Sequence, residues 1–92
     1  MDWEKKTVKE SRITLGVMLH ARPAGLVSRA AKKYSAAIEI VANGKSADGK
    51  SIIALMSLGA KNGDEAIVRV DGDGESEALK EITAILTGEK EK

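Results

Sequence analysis

Ninety-two residues, 42% of them apolar, allow one small domain with a single core. A net charge of +1, mixed among 15 basic and 14 acidic residues, leaves no basic footprint for nucleic acid. The absence of cysteine excludes a disulfide framework and thiolate metal sites, and the apolar runs fall far short of the roughly 18 residues a membrane helix needs.

The leader MDWEKKTVK has no apolar stretch after its lysines and does not read as a secretory signal. Residues 1–9 are expected to be a loose lead-in to a single domain spanning 1–92, with a frayed tail at 88–92. A soluble cytoplasmic monomer without metal or cofactor is the expectation, with neither membrane nor nucleic acid as partner. Trp3 and Tyr34 are the only aromatics, so the core must be aliphatic.

SRITL (Ser11 to Leu15) alternates, with Ile13 and Leu15 on one face, as in a half-buried strand. In ARPAGLVSRAAKKY, Val27, Ala30, Ala31 and Tyr34 fall on one face of a helix. Pro23 sits near its start, and Lys32 and Lys33 fall in its last turn, where positive charge is favourable. AAIEIVANGKSA reads as a hairpin turning at Asn43-Gly44. SIIALMSL is a helix of about two turns, opened by Ser51 and stopped by Gly59. Ile52, Leu55 and Leu58 form its expected core face, leaving Ile53 and Met56 exposed. KNGDE is a turn and EAIVRV the last strand. ESEALKEITAIL is a long helix with Leu79, Ile82 and Leu86 on one face and Ser76 as candidate N-cap. The order is strand, helix, strand, strand, short helix, strand, helix. The tight hairpin makes the sheet at least partly antiparallel, with helices on one face: an α+β two-layer domain.

GKSADGKS, Gly44 to Ser51, matches the G-x-x-x-x-G-K-[ST] pattern of a phosphate-binding loop. An ATP-binding protein using Gly49, Lys50 and Ser51 would follow from that reading. The hairpin argues against it, because the first half of the match lies in the returning strand and leaves no wide loop around a phosphate. The following helix is stopped by Gly59, and Arg69 interrupts the strand that would carry a magnesium ligand. Lys50-Ser51 nevertheless stands at a helix N-terminus, where an anion is favoured.

His20 is the only histidine and directly precedes a helix. It reads either as a polar residue flanking a turn or as a nucleophilic imidazole. The imidazole is substantially unprotonated near neutral pH and can take a phosphoryl group. A phosphate there would meet backbone N–H donors and the fixed charge of Arg22. The residues alone leave both readings open.

LHARPAG (Leu19 to Gly25), together with NGKSADGKSIIALMSLGAKNGDE (Asn43 to Glu65), closely resembles HPr, the histidine-containing phosphocarrier family of the bacterial phosphoenolpyruvate:sugar phosphotransferase system. The likeness runs from about Glu10 to Leu86. It implies an open-faced β-sandwich, βαββαβα, with a four-stranded antiparallel sheet and helices on one face. It further implies that His20 is phosphorylated on Nδ1 by enzyme I, at the expense of phosphoenolpyruvate, and passes the group to EIIA components of sugar permeases. Such a protein is a stoichiometric carrier and not an enzyme. By the same resemblance Arg22 stabilises the phosphate, and Ser51 is the site modified by HPr kinase/phosphorylase in many relatives. Ala21, Gly25, Arg29, Ile53 and Met56 fall on the family's partner-binding surface. Met18 stands where the family usually has glycine, making the approach to His20 bulkier. Asp48 replaces a frequent asparagine and adds negative charge near Ser51.

An RNA-binding sheet is a rival architecture, but it requires stacking aromatics that EAIVRV and SRITL do not offer. A carrier of a nitrogen-related or purely regulatory phosphotransfer chain would use the same chemistry with other partners.

Overall fold

Asn43 and Gly44 both adopt positive φ, 54° and 75°. This backbone hand matches the twist of two antiparallel strands joined by a two-residue turn. The turn joins the second and third strands of the domain, which is described here for residues 8–88 of a computed structural model. Its elements are β1 (Val8–Thr14), α1 (Ala21–Ala31), β2 (Ala37–Ala42), β3 (Lys45–Asp48), α2 (Ile52–Ser57), β4 (Glu65–Asp71) and α3 (Glu75–Leu86). The expected element order is the observed one.

The four strands form one sheet in the order β1-β4-β2-β3. Every neighbouring pair is antiparallel, with Ile40 opposite Ala47 on one side and Val68 on the other. Strand alternation sends Ile38, Ile40, Ala42, Ala66, Val68 and Val70 into the core. Val27, Leu55, Ile82 and Leu86 from the helices close over them, giving the open-faced α+β sandwich. The other face carries charge: Arg69 donates to Glu10 at 3.1 Å and to Glu39 at 2.9 Å.

Several boundaries differ from expectation. β1 begins at Val8, so Val8 and Lys9 belong to the sheet, while residues 1–7 and 89–92 lie outside the described residues. Lys9 and Glu10 are exposed, so the polar start of β1 is a strand that meets solvent. α1 ends at Ala31 with Lys32 as its C-cap, so Arg29 is the basic residue of its last turn. Lys33 and Tyr34 follow the helix. The N-cap of α3 is Gly74 (φ 78°), not Ser76, because a left-handed turn brings the chain off β4 two residues earlier than the serine. Ile52 is 41% exposed. It is the first residue of a six-residue helix, and only Leu55 and Leu58 of the expected face are buried in the core.

Both glycines of the apparent phosphate loop have β-sheet explanations. Gly44 makes the turn. Gly49 donates its amide to the Ile38 carbonyl at 2.7 Å, and a Cβ on it would stand 2.6 Å from Ile38 Cγ2.

Candidate functional site

The loop from β1 to α1 is held by long-range backbone bonds. Leu15 donates to the Asp64 carbonyl (2.8 Å) and accepts from the Gly63 amide (2.9 Å). Gly16 donates to Leu86 (2.9 Å), and Leu19 donates to Ala60 (3.0 Å). The side chains of Leu15 and Leu19 are buried, so the loop is fastened at both ends. Between Leu19 and the helix the backbone turns tightly, with the His20 amide donating to the Met18 carbonyl at 2.9 Å.

His20 is the N-cap of α1, in an extended conformation. Its carbonyl accepts the first intrahelical bond from Ala24 (3.0 Å), while its imidazole makes no capping bond. The side chain therefore stands exposed at a helix N-terminus with its ring uncommitted to the cap. Pro23, the third helical residue, is buried and has no N–H, so the backbone donors ahead of Ala24 belong to Ala21 and Arg22. No acidic residue lies in the first turn. Negative charge placed there gains about 0.3–1 kcal/mol from the helix dipole.

Ala21 and Arg22 are exposed on the first turn. Arg22, Gly25 and Arg29 follow at spacings of three and four, forming one stripe along α1. Gly25 lies between the two arginines, and a Cβ there would meet nothing within 4 Å. Its small size is therefore not demanded by packing within the chain.

Ser51 caps α2, as expected: its Oγ accepts from the Ala54 amide at 3.1 Å. The preceding turn is closed by Asp48, whose carboxylate accepts from the Lys50 amide at 2.9 Å and whose carbonyl accepts from the Ser51 amide at 3.0 Å. Asp48 thus combines a structural bond with negative charge three residues before Ser51.

Ile53 and Met56 are exposed, at 77% and 43%, in agreement with the sequence reading. Ile52 joins them, since Ile52 and Met56 are one helical turn apart. Met18, 53% exposed, adds an apolar side chain in the loop just before His20. The Leu19–Ala60 bond ties that loop to the segment leaving α2. At the other end of α2, Ser28 of α1 donates its hydroxyl to the Lys50 carbonyl at 2.8 Å. Two bonds thus join the chain around His20 and the chain around Ser51. Sequence reasoning did not single out Ser28, because a serine within an apolar helical face carries no sign of a partner 22 residues away.

Among the described residues no group of three or more His, Cys, Asp or Glu side chains could hold a metal ion. No described helix is long and apolar enough to cross a membrane.

The family model for the PTS HPr component phosphorylation site matches residues 7–88. The phosphocarrier protein HPr of Mycoplasma capricolum is 38% identical over 82 residues, covering 83% of this chain and 92% of that protein. The crystal structure of HPr-C-His from Thermoanaerobacter tengcongensis superposes with a TM-score of 0.82 at 34% identity, covering 91% of this chain and 97% of that one. A structure of an HPr dimer from the same organism gives a TM-score of 0.69 at 33% identity, covering 84% and 93%.

Proposed function

This chain belongs to the HPr family of phosphotransferase-system phosphocarriers, and on that premise we propose that His20 is the residue that carries the phosphoryl group. The observation that carries the reading is an exposed imidazole on a helix N-cap, making no cap bond and two residues before Arg22. The unprotonated Nδ1 attacks phosphorus in phospho-enzyme I, a P–N bond forms on His20, and the donor's bond to phosphorus breaks. Transfer onward to an EIIA component reverses these events on a new acceptor. The backbone donors of the first turn and the Arg22 guanidinium stabilise the added charge. A helix-end contribution of about 0.3–1 kcal/mol is small enough that the group is held without being trapped.

The docking surface of this carrier comprises Ala21, Gly25 and Arg29 on α1 with Ile53 and Met56 on α2. Its exposed apolar side chains, framed by basic residues, support that reading. Ser51 is the regulatory site for an HPr kinase/phosphorylase, where a phosphate would sit at the start of α2 beside that surface. The carrier acts as a cytoplasmic monomer, consumed and regenerated stoichiometrically. Light scattering at transfer concentrations tests this against a dimer such as that described for the Thermoanaerobacter relative.

The deciding experiment is intact mass after incubation with phosphoenolpyruvate and a bacterial enzyme I, beside His20→Ala. One acid-labile phosphoryl group, absent from the variant, is the expected result. A phosphoryl group that persists in His20→Ala would move the site elsewhere.

A further inference from the structure

Ser28 is the only polar or charged residue among the buried ones described, at 2% exposure. It faces the interior from the middle of α1, between Val27 and Ala30, where an apolar residue would fill the same space. A hydroxyl buried without a partner is costly, so its retention requires a bond. That bond goes to the Lys50 carbonyl at 2.8 Å. The acceptor is as specific as the donor. Lys50 precedes the N-cap Ser51, and the first intrahelical bond of α2 runs from Leu55 to the Ser51 carbonyl. The Lys50 carbonyl therefore lies just outside the helical ladder and takes its hydrogen bond from another element.

A six-residue helix has little hold on its own orientation. Only Leu55 of α2 is buried, with Leu58 just beyond it. Ala54 packs beside these anchors, and the Asn43 side-chain amide donates to the Leu58 carbonyl at 3.1 Å, so the C-terminal end of the helix is tied down by its own bond. The Ser28 bond adds a directional constraint at the end where Ile52 and Ile53 emerge. Its other end is the helix that His20 opens.

We propose that Ser28 is a positioning residue for carrier function: its hydroxyl sets the first turn of α2 against α1, so that Ile52, Ile53 and His20 meet a partner protein as one fixed surface. This rests on the reading of that surface as the docking site for the phosphoryl donor. Ser28 does not touch the phosphoryl group, so its loss acts on encounter and leaves the chemistry at His20 intact.

Ser28→Thr and Ser28→Val test this, since their side chains share a shape and differ in the hydroxyl. The readout is the initial rate of carrier phosphorylation by catalytic bacterial enzyme I with phosphoenolpyruvate, at varied carrier concentration. It is taken well below each variant's melting temperature. Ser28→Val is expected to raise KM for the carrier by about fivefold with kcat unchanged, and Ser28→Thr to remain within about twofold of the parent. Ser28→Ala, which cannot overpack the site, is expected to follow Ser28→Val even if the larger side chains prevent folding. A parental KM in folded Ser28→Val or Ser28→Ala would overturn the proposal and leave Ser28 a core residue. So would a fall in kcat alone. Ile53→Ala separates the two levels: a raised KM there with no effect at Ser28 rejects only the positioning role. An unchanged KM in Ile53→Ala rejects the docking surface, and the role of Ser28 with it.

Discussion

Gly16 lies flat against the backbone of Thr87, so close that a Cβ on Gly16 would overlap the Thr87 carbonyl. Its amide donates to the neighbouring Leu86 carbonyl at 2.9 Å. The end of α3 is thereby seated on the loop that leads to His20. Gly16→Ala must push the two backbones apart, and backbone cannot swing aside as a flexible side chain does. A loss of about 1–3 kcal/mol is expected, lowering the melting temperature by several degrees in a domain of this size. A calorimetric melt unchanged from the parent would show that the two segments separate without resistance.

Ser51 has two separable properties, a cap acceptor and a place for charge. Ser51→Ala removes the acceptor for the Ala54 amide and is expected to cost about 1 kcal/mol of stability while leaving phosphoryl acceptance at the parental rate. Ser51→Asp keeps an acceptor and should melt near the parent. Its charge beside the exposed Ile52 and Ile53, added to that of Asp48, is expected to slow acceptance from enzyme I. Melting curves and transfer rates measured on both variants decide the matter; equal transfer rates in the two would remove the regulatory reading.

Gly25 occupies the interior of α1 without a packing or conformational reason, since its φ is not in the left-handed region and nothing stands near its missing Cβ. Gly25→Ala is therefore expected to stabilise the domain by about 0.5–1 kcal/mol through helix propensity. If the space above Gly25 admits a partner, the same variant transfers phosphoryl groups less well despite being more stable. Denaturant unfolding gives the first quantity, and a destabilised variant would contradict the open space at this position.

The hydroxyl of Tyr34 donates to Glu81 Oε1 at 2.8 Å, while Lys33 donates to Oε2 at 2.6 Å. The hydrogen bond to Glu81 foremost, then partial burial and the charges of Glu81 and Glu77, raise the Tyr34 pKa above its ordinary value. The phenol donates only while neutral, so the folded protein releases this proton at higher pH than the unfolded chain. The resulting stability is fully present below about pH 10, the unfolded value, and is lost as pH rises through the folded one. Tyr34→Phe is expected to lower stability by about 1 kcal/mol at neutral pH. It should also flatten the decline in stability that begins at about pH 10 and continues above it. Denaturant midpoints across that range, compared between the two proteins, provide the check; parallel curves would rule the bond out as a source of the pH dependence.

Local chemistry made much of this architecture readable. Asn43-Gly44 has one favoured use between alternating apolar residues, and Ser51 and Gly59 bracket a run too short for anything but a two-turn helix. What escaped depends on the third dimension. Ile52 has the spacing of a core residue, yet within α2 only Leu55 is buried, with Ala54 packed beside it and Leu58 beyond the helix end. Val8 and Lys9 gain strand character from pairing with Asp71 and Val70, far along the chain. Ser28 looks neutral in a helix until the Lys50 carbonyl is beside it. At the candidate site, the likeness around His20 supplied the residues, while the spacing alone left the histidine with two readings. The exposure of Ile53 and Met56 was recoverable from helical periodicity, but the contribution of Ile52 to the same patch was not.

The sheet order has a consequence for how the molecule is built. The β2–β3 hairpin closes over a two-residue turn and can form early, whereas β1 must wait for β4, whose residues lie more than fifty positions later. The segment before His20 waits longer, because beside Ala60, Gly63 and Asp64 its anchors include Leu86, which lies beyond β4. During synthesis the histidine emerges before every one of these anchors and reaches its final setting only after the last of them. A chain stalled before α3 would contain every residue of the reactive loop and still lack the Leu86 anchor that seats it.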